Sequence, residues 1–217
     1  MRIILSLLFL VSAGTVLNAN PIAAEHLVKS SERCIVSIHK GSAFVSCYVG
    51  YDIKKDVDLG ANGLVAIRLP ILLPRLAQWD PASILACCKP RIEVFDKILR
   101  PESVSVLAPN ESPFGRVPGN CVLAIANFKF RVLPSRKWIP IVASYDQPLA
   151  QQQFHYLPTF EEPDMKISAN DFSVTVFTTA DGRRLRLLSK QKTDRLGISS
   201  RLNITPRHQE LISVAVD

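Results

Sequence analysis

The run Cys34-Ile35-Val36-Ser37-Ile38-His39-Lys40-Gly41-Ser42-Ala43-Phe44-Val45-Ser46-Cys47 decides how the chain is read. Apolar and polar residues alternate on both sides of Lys40-Gly41, the pattern of two half-buried strands joined by a two-residue turn. In that register Val36 faces Val45, Ile38 faces Ala43 and Cys34 faces Cys47. Counted from the turn, the cysteine pair falls on a non-hydrogen-bonded site, where facing side chains come closest. The register therefore predicts a Cys34–Cys47 disulfide if the chain enters an oxidising compartment. In a reducing one the same two residues are small core side chains. Five cysteines leave at least one thiol unpaired, and Cys87-Cys88 reads as packing rather than as a vicinal bridge.

Outward from this hairpin, strand-like runs recur at residues 63–69, 91–98, 103–108, 121–133, 138–144, 172–178, 184–188 and 211–216. They are rich in β-branched and aromatic residues and are separated by turn residues. Phe172–Phe177, a bend at Asp181-Gly182 and Arg184–Leu187 read as a second hairpin, with Arg184 and Arg186 on one face and Leu185 and Leu187 on the other. One short helix is predicted over residues 81–88, with Asp80 as N-cap, Pro81 at the first position and Pro90 as the stop. Residues 109–120 read as a long loop. The expected fold is all-β: a single β-sandwich or jelly-roll-like domain over residues 25–188. An immunoglobulin domain fits poorly, because the Cys–Trp–Cys spacing is missing. Apolar content of 47% over 217 residues suffices for a real core.

Ahead of that domain, Arg2 precedes Ile3–Leu17, an uncharged run of signal-peptide length and short for a bilayer span. Residues 1–24 are expected to be a signal-like or membrane-targeting segment. Residues 189–217 are expected to be a basic C-terminal extension. Charge is uneven: residues 183–207 hold eight Lys or Arg against Asp194 alone, a local +7 that equals the net charge of the whole chain. Cations concentrated in this way suit a polyanionic partner better than a need for solubility does.

Catalytic and metal patterns are absent. The sequence has no Gly-rich phosphate loop, no His-Glu-x-x-His, no Gly-x-Ser-x-Gly and no Cys-x-x-Cys. On a hairpin Cys34 and His39 point to opposite faces, which argues against zinc. Asp56 and Asp58 sit in a lysine-rich turn, and Glu161, Glu162 and Asp164 flank a proline as a charged loop would. Asn110 and Asn203 fit the glycosylation pattern, each with a proline following the triplet. No enzyme activity, cofactor or metal is expected.

Three segments together resemble plant-virus cell-to-cell movement proteins of the thirty-kilodalton superfamily, the tobacco mosaic virus type. Arg91-Ile92-Glu93-Val94-Phe95-Asp96 is similar to that family's Leu-x-Asp signature, with Val94 where Leu is usual and Asp96 as the acid. Phe128–Pro134 is similar to its downstream strand ending in proline, and Met165–Ser168 with Phe172–Phe177 to its closing strands. Order and spacing agree over about residues 60–180. The resemblance implies a jelly-roll-like domain that binds single-stranded RNA, or another polyanion, without sequence preference. It also implies host-membrane or plasmodesmal partners, self-association, and a location at the host membrane or cell junction. Arg183, Arg184, Arg186, Lys190, Lys192 and Arg195 would then follow a phosphate backbone by charge. Two alternatives from other classes stand beside it: a secreted or cell-surface β-sandwich that binds protein or glycan and is stabilised by Cys34–Cys47, and a coat-like jelly roll that self-assembles.

Overall fold

A computed structural model of the protein describes residues 27–55, 63–75, 78–108, 111–112, 117–157, 166–167, 172–179, 183–188, 192–194, 200–205 and 211–217. The segment 1–24, the carboxylates of Asp56, Asp58, Glu161, Glu162 and Asp164, the Asp181-Gly182 bend, and Asn110, Lys190 and Arg195 lie outside the described residues; Lys192 is described in its backbone only.

The fold is all-β with one short helix. Strands β1 (Leu27–His39) and β2 (Ser42–Ile53) form the predicted hairpin, with Lys40 and Gly41 both at positive φ (41° and 85°) in its turn. Cys34 pairs with Cys47, Val36 with Val45 and Ile38 with Ala43, and a disulfide joins the two sulfurs. The hairpin is longer than the alternating run suggests, because β1 starts at Leu27.

After β3 (Leu64–Pro74) comes α1 (Pro81–Cys88), at the bounds the proline and cap residues predict. Asp80 accepts a hydrogen bond from the Ser83 N–H at 2.8 Å, and Ser83 Oγ accepts from the Asp80 N–H at 3.0 Å, so two otherwise orphaned amides are satisfied. Lys89 closes the helix in the left-handed region. Residues 91–98, expected as one strand, are instead a second tight hairpin, β4 (Arg91–Val94) and β5 (Lys97–Leu99). Its turn is Phe95-Asp96, both at positive φ. The signature residues Val94 and Asp96 are thus a strand end and a turn.

The remaining strands are β6 (Ser103–Leu107), β7 (Cys121–Arg131), β8 (Trp138–Pro148), β9 (Gln153–Tyr156), β10 (Lys166–Ile167), β11 (Phe172–Thr178), β12 (Leu185–Leu187), β13 (Lys192–Asp194), β14 (Arg201–Thr205) and β15 (Ile212–Val216). The largest sheet runs β13-β14-β11-β1-β2-β8-β4-β5, with β10 also beside β1. Two smaller sheets, β12-β15-β9 and β3-β7-β6, share one apolar core with it. That core takes Val36, Val45 and Ile141 from the large sheet, Ile67 and Phe128 from one small sheet, and Phe154 and Val214 from the other.

Sequence expectations are corrected in the pairing of strands and in the C-terminal residues. Phe172–Phe177 and Arg184–Leu187 do not pair: β11 lies between β1 and β14, and β12 pairs with β15 in another sheet. The β1–β11 pair is parallel, so the large sheet is mixed, whereas a jelly roll is antiparallel throughout. Residues 189–217 are not an appendage either, since β14 and β15 bury Leu202, Ile204, Ile212 and Val214 in the common core.

Gly63 fixes the entry to β3. It sits at φ 48°, and a Cβ there would lie 1.9 Å from the Val132 carbonyl oxygen. Both the backbone conformation and the close approach require glycine. Gly63→Ala should destabilise the protein by more than about 1 kcal/mol, read as a lower midpoint in urea unfolding; an unchanged midpoint would contradict this packing.

Candidate functional site

Three regions carry chemistry. The first is a polar cluster inside the core. Residues three apart on a regular strand face opposite ways, yet Lys29 (0% exposed) and Glu32 (1%) both point inward. The cause is a bulge: Lys29 pairs with Tyr51 and Ser31 with Gly50, so Ser30 is an extra residue that resets the alternation. Lys29 Nζ lies 2.8 Å from Glu32 Oε2 and 5.5 Å from the centre of the Phe172 ring. The buried Tyr156 hydroxyl donates to Glu32 Oε1 and lies 2.8 and 3.3 Å from the sulfurs of Cys34 and Cys47. Glu32, Cys34 and Cys47 come close enough to suggest metal ligation. Both sulfurs are in the bridge, however, so neither is a thiolate, and the carboxylate already serves Lys29 and Tyr156. Burial raises the Tyr145 hydroxyl pKa far above its ordinary value, with the Glu32 charge adding to it.

A second cluster surrounds His155. Asn120 Nδ2 is 3.5 Å from His155 Nε2, and His155 Nδ1 is 2.8 Å from Ser213 Oγ. Gln147 Nε2 donates to the His155 carbonyl at 2.7 Å. Burial holds the imidazole pKa below its ordinary value and pushes the neighbouring Cys121 thiol up to about 11.

The third region is the solvent face of the large sheet. The inward residues 43, 45, 47, 49, 51 and 53 of β2 leave Phe44 (43% exposed) and Tyr48 (39%) pointing outward. Trp138 (41%) opens β8 opposite Asp52, with its ring centre 6.4 Å from that of Tyr48. Gly50 makes room for it, because a Cβ there would come within 2.9 Å of the indole nitrogen. Arg33 stands across from Tyr48 on β1 and Ile35 across from Ser46, both exposed. The disulfide lies on the opposite, buried face of the same two strands.

Of the predicted basic residues, the side chains of Arg183, Arg184 and Arg186 are described. Arg183 is half-buried, Arg184 is exposed just before the edge strand β12, and Arg186 is exposed on it. Arg186 Nε is 3.4 Å from Asp217 Oδ2. Arg201 is exposed on β14, in a different sheet. Cys87 is exposed and Cys88 buried, and neither is bridged.

No protein-family model matches the chain, and comparison with curated proteins finds no match. Among solved structures, a candidate nutrient-binding protein of Legionella pneumophila is similar in fold: TM-score 0.50 and 13% identity, covering 90% of this chain and 68% of that one. Yeast LTA4 hydrolase in complex with bestatin aligns at TM-score 0.44 and 8% identity, and a two-domain M1 zinc metallopeptidase at 0.38 and 9%. They cover 89% and 88% of this chain, which spans 29% and 43% of theirs.

Two outcomes test these clusters. Glu32→Gln leaves Lys29 as an uncompensated buried charge and should cost about 3–5 kcal/mol, measured by denaturant unfolding. His155 binds its proton less readily folded than unfolded, so its contribution is complete above 6.5, the ordinary histidine value, and is lost as pH falls below it. Melting temperature should drop through that range in the native protein and drop less in His155→Gln.

Proposed function

We propose that this chain is a non-catalytic binding domain of a disulfide-forming compartment, secreted or at the cell surface, that receives a protein or glycan partner on the open face of its large sheet. The observation that carries this reading is the Phe44–Tyr48–Trp138 group. Three partly exposed aromatic rings stand on the adjacent strands β2 and β8, and on the buried face of the same sheet Cys34 and Cys47 crosslink β2 to β1. Aromatic rings held rigidly supply large contact area at little entropic cost, and with a nearby arginine they match the make-up of binding hot spots. The disulfide supports an oxidising location, since such bridges do not persist in reducing cytosol. Fold similarity to a candidate nutrient-binding protein agrees with a binding role but speaks to fold alone.

Transport of single-stranded nucleic acid, implied by the resemblance to movement proteins, has less support. Arg184 and Arg186 are exposed on either side of buried Leu185, but Arg186 Nε lies 3.4 Å from Asp217 Oδ2.

Intact-mass analysis of the natural product, with N-terminal sequencing, should show removal of the leading segment and a mass two units below the reduced form. Trp138→Ala with Tyr48→Ala should lower binding to glycan arrays or to intact cells at least tenfold while leaving the melting temperature within a few degrees. Unchanged binding in the double variant would sink the proposal. Loss of single-stranded RNA gel shift in Arg184→Glu with Arg186→Glu would favour the transport reading instead.

A further inference from the structure

A groove of about 680 Å³ opens between the β4–β5 hairpin and the last residues of β7. Its floor is core: Val94, Phe130 and Val132 are nearly fully buried. Its rim is cationic, made by Lys97 on the hairpin, Lys129 and Arg131 on β7, and Arg136 in the loop that follows. Arg136 is spread over the Phe95 ring, 4.7 Å from its centre, which fixes the guanidinium at the mouth. The acids nearby are Asp96 at the hairpin tip, Glu93 on β4 and Glu102, whose carboxylate is 3.2 Å from Lys129 Nζ. Cations remain in excess.

The groove also exposes a strand edge. β6 covers β7 only as far as the Ser103–Asn127 pair, while β7 continues to Arg131 against β3. The Asn127 carbonyl accepts from Glu102 N–H on the β6 side, whereas Val132 N–H donates to Gly63 on the β3 side. Alternation along the strand therefore turns the backbone N–H and C=O of Lys129 and Arg131 toward the groove, where no described residue pairs with them. At about 3.3 Å per residue, the four-residue overhang 128–131 offers roughly 13 Å of open edge.

We infer that this groove binds an extended acidic peptide segment of a partner protein, added as a strand to the open edge of β7. Main-chain hydrogen bonds to Lys129 and Arg131 supply affinity. Alternate side chains of the peptide divide between the apolar floor and the cationic rim. Edge lysines and arginines also serve merely to discourage strand pairing; that role needs neither an apolar floor nor a guanidinium stacked across the mouth, and it makes the opposite prediction for the experiment below.

The test uses the full chain and a fluorescein-labelled decapeptide of alternating Glu and Val, followed by anisotropy at physiological salt. The expected result is saturable binding that weakens at least tenfold in Arg131→Glu and in Lys97→Glu. It should vanish when the peptide amides facing β7 are N-methylated, a change that removes donors but no charge. Lys97, exposed on a hairpin, keeps the experiment decisive should Arg131→Glu unfold. No binding, or equal binding of the N-methylated peptide, overturns the inference. So does equal binding of polyglutamate, a single-stranded oligonucleotide or phosphatidylserine vesicles, because charge alone would then explain it. Trp138→Ala with Tyr48→Ala should leave peptide binding unchanged, so failure here and failure of the open-face reading are separable.

Discussion

One extra residue in β1 decides what the centre of this protein contains. Without Ser30 in the bulge, Lys29 and Glu32 would project to opposite sides and one would reach water. With it, an ion pair, a tyrosine hydroxyl and a disulfide meet where Leu27, Tyr51 and Val36 are also buried. Buried ion pairs contribute little net stability against an apolar replacement, but they are costly to mismatch. The pair ties three elements together: β1 through Lys29 and Glu32, β9 through Tyr156 and β11 through Phe172. Because β11 is the parallel neighbour of β1 while β9 sits in another sheet, this polar knot specifies how the smaller sheet docks. Apolar contacts, which are not directional, would specify that arrangement less sharply.

The disulfide reinforces that centre more than it closes a long loop. A separation of 13 residues gives an entropic gain of about 3 kcal/mol in the loop-closure model, modest for a chain of 217. Its position matters more: the bridge and Tyr156 touch, so β1, β2 and β9 are pinned at one point. The outer surfaces of β1 and β2 inherit that rigidity, so Phe44 and Tyr48 would lose little freedom on contact with a partner.

Local chemistry was legible in the sequence, and long-range pairing was not. The Lys40-Gly41 turn, the register to Cys34 and Cys47, and the capped helix at Pro81–Cys88 all rest on interactions between residues a few positions apart, where alternation and turn chemistry are decisive. The Phe95-Asp96 turn was missed because Phe95 disfavours positive φ and no glycine marks the bend, so residues 91–98 read as one strand. The link from Phe177 to Arg184 failed for a different reason. Asp181-Gly182 looks like a hairpin turn, but nothing local states that β11 will lie parallel to β1 or that β12 will find β15. Lys29 and Glu32 had a faint signal: two charged residues among inward positions of a strand imply either a register error or a buried pair.

The same distinction explains why the groove was under-read. Counting charge along the chain weights neighbours in sequence, whereas a binding surface is built from neighbours in space. Arg186 and Arg201 come from the dense run yet stand in different sheets, and Arg186 faces Asp217. Lys97, Lys129, Arg131 and Arg136 come from two segments separated by β6 and the loop after it, and neither segment stands out by composition. They converge because β4 and β5 extend the large sheet at the end where β7 outruns β6. Wherever two sheets of unequal strand length share one core, an overhang of this kind leaves backbone donors and acceptors at the mouth of an apolar cleft. The charge placed around such a cleft, rather than the charge of the chain, sets what can enter it.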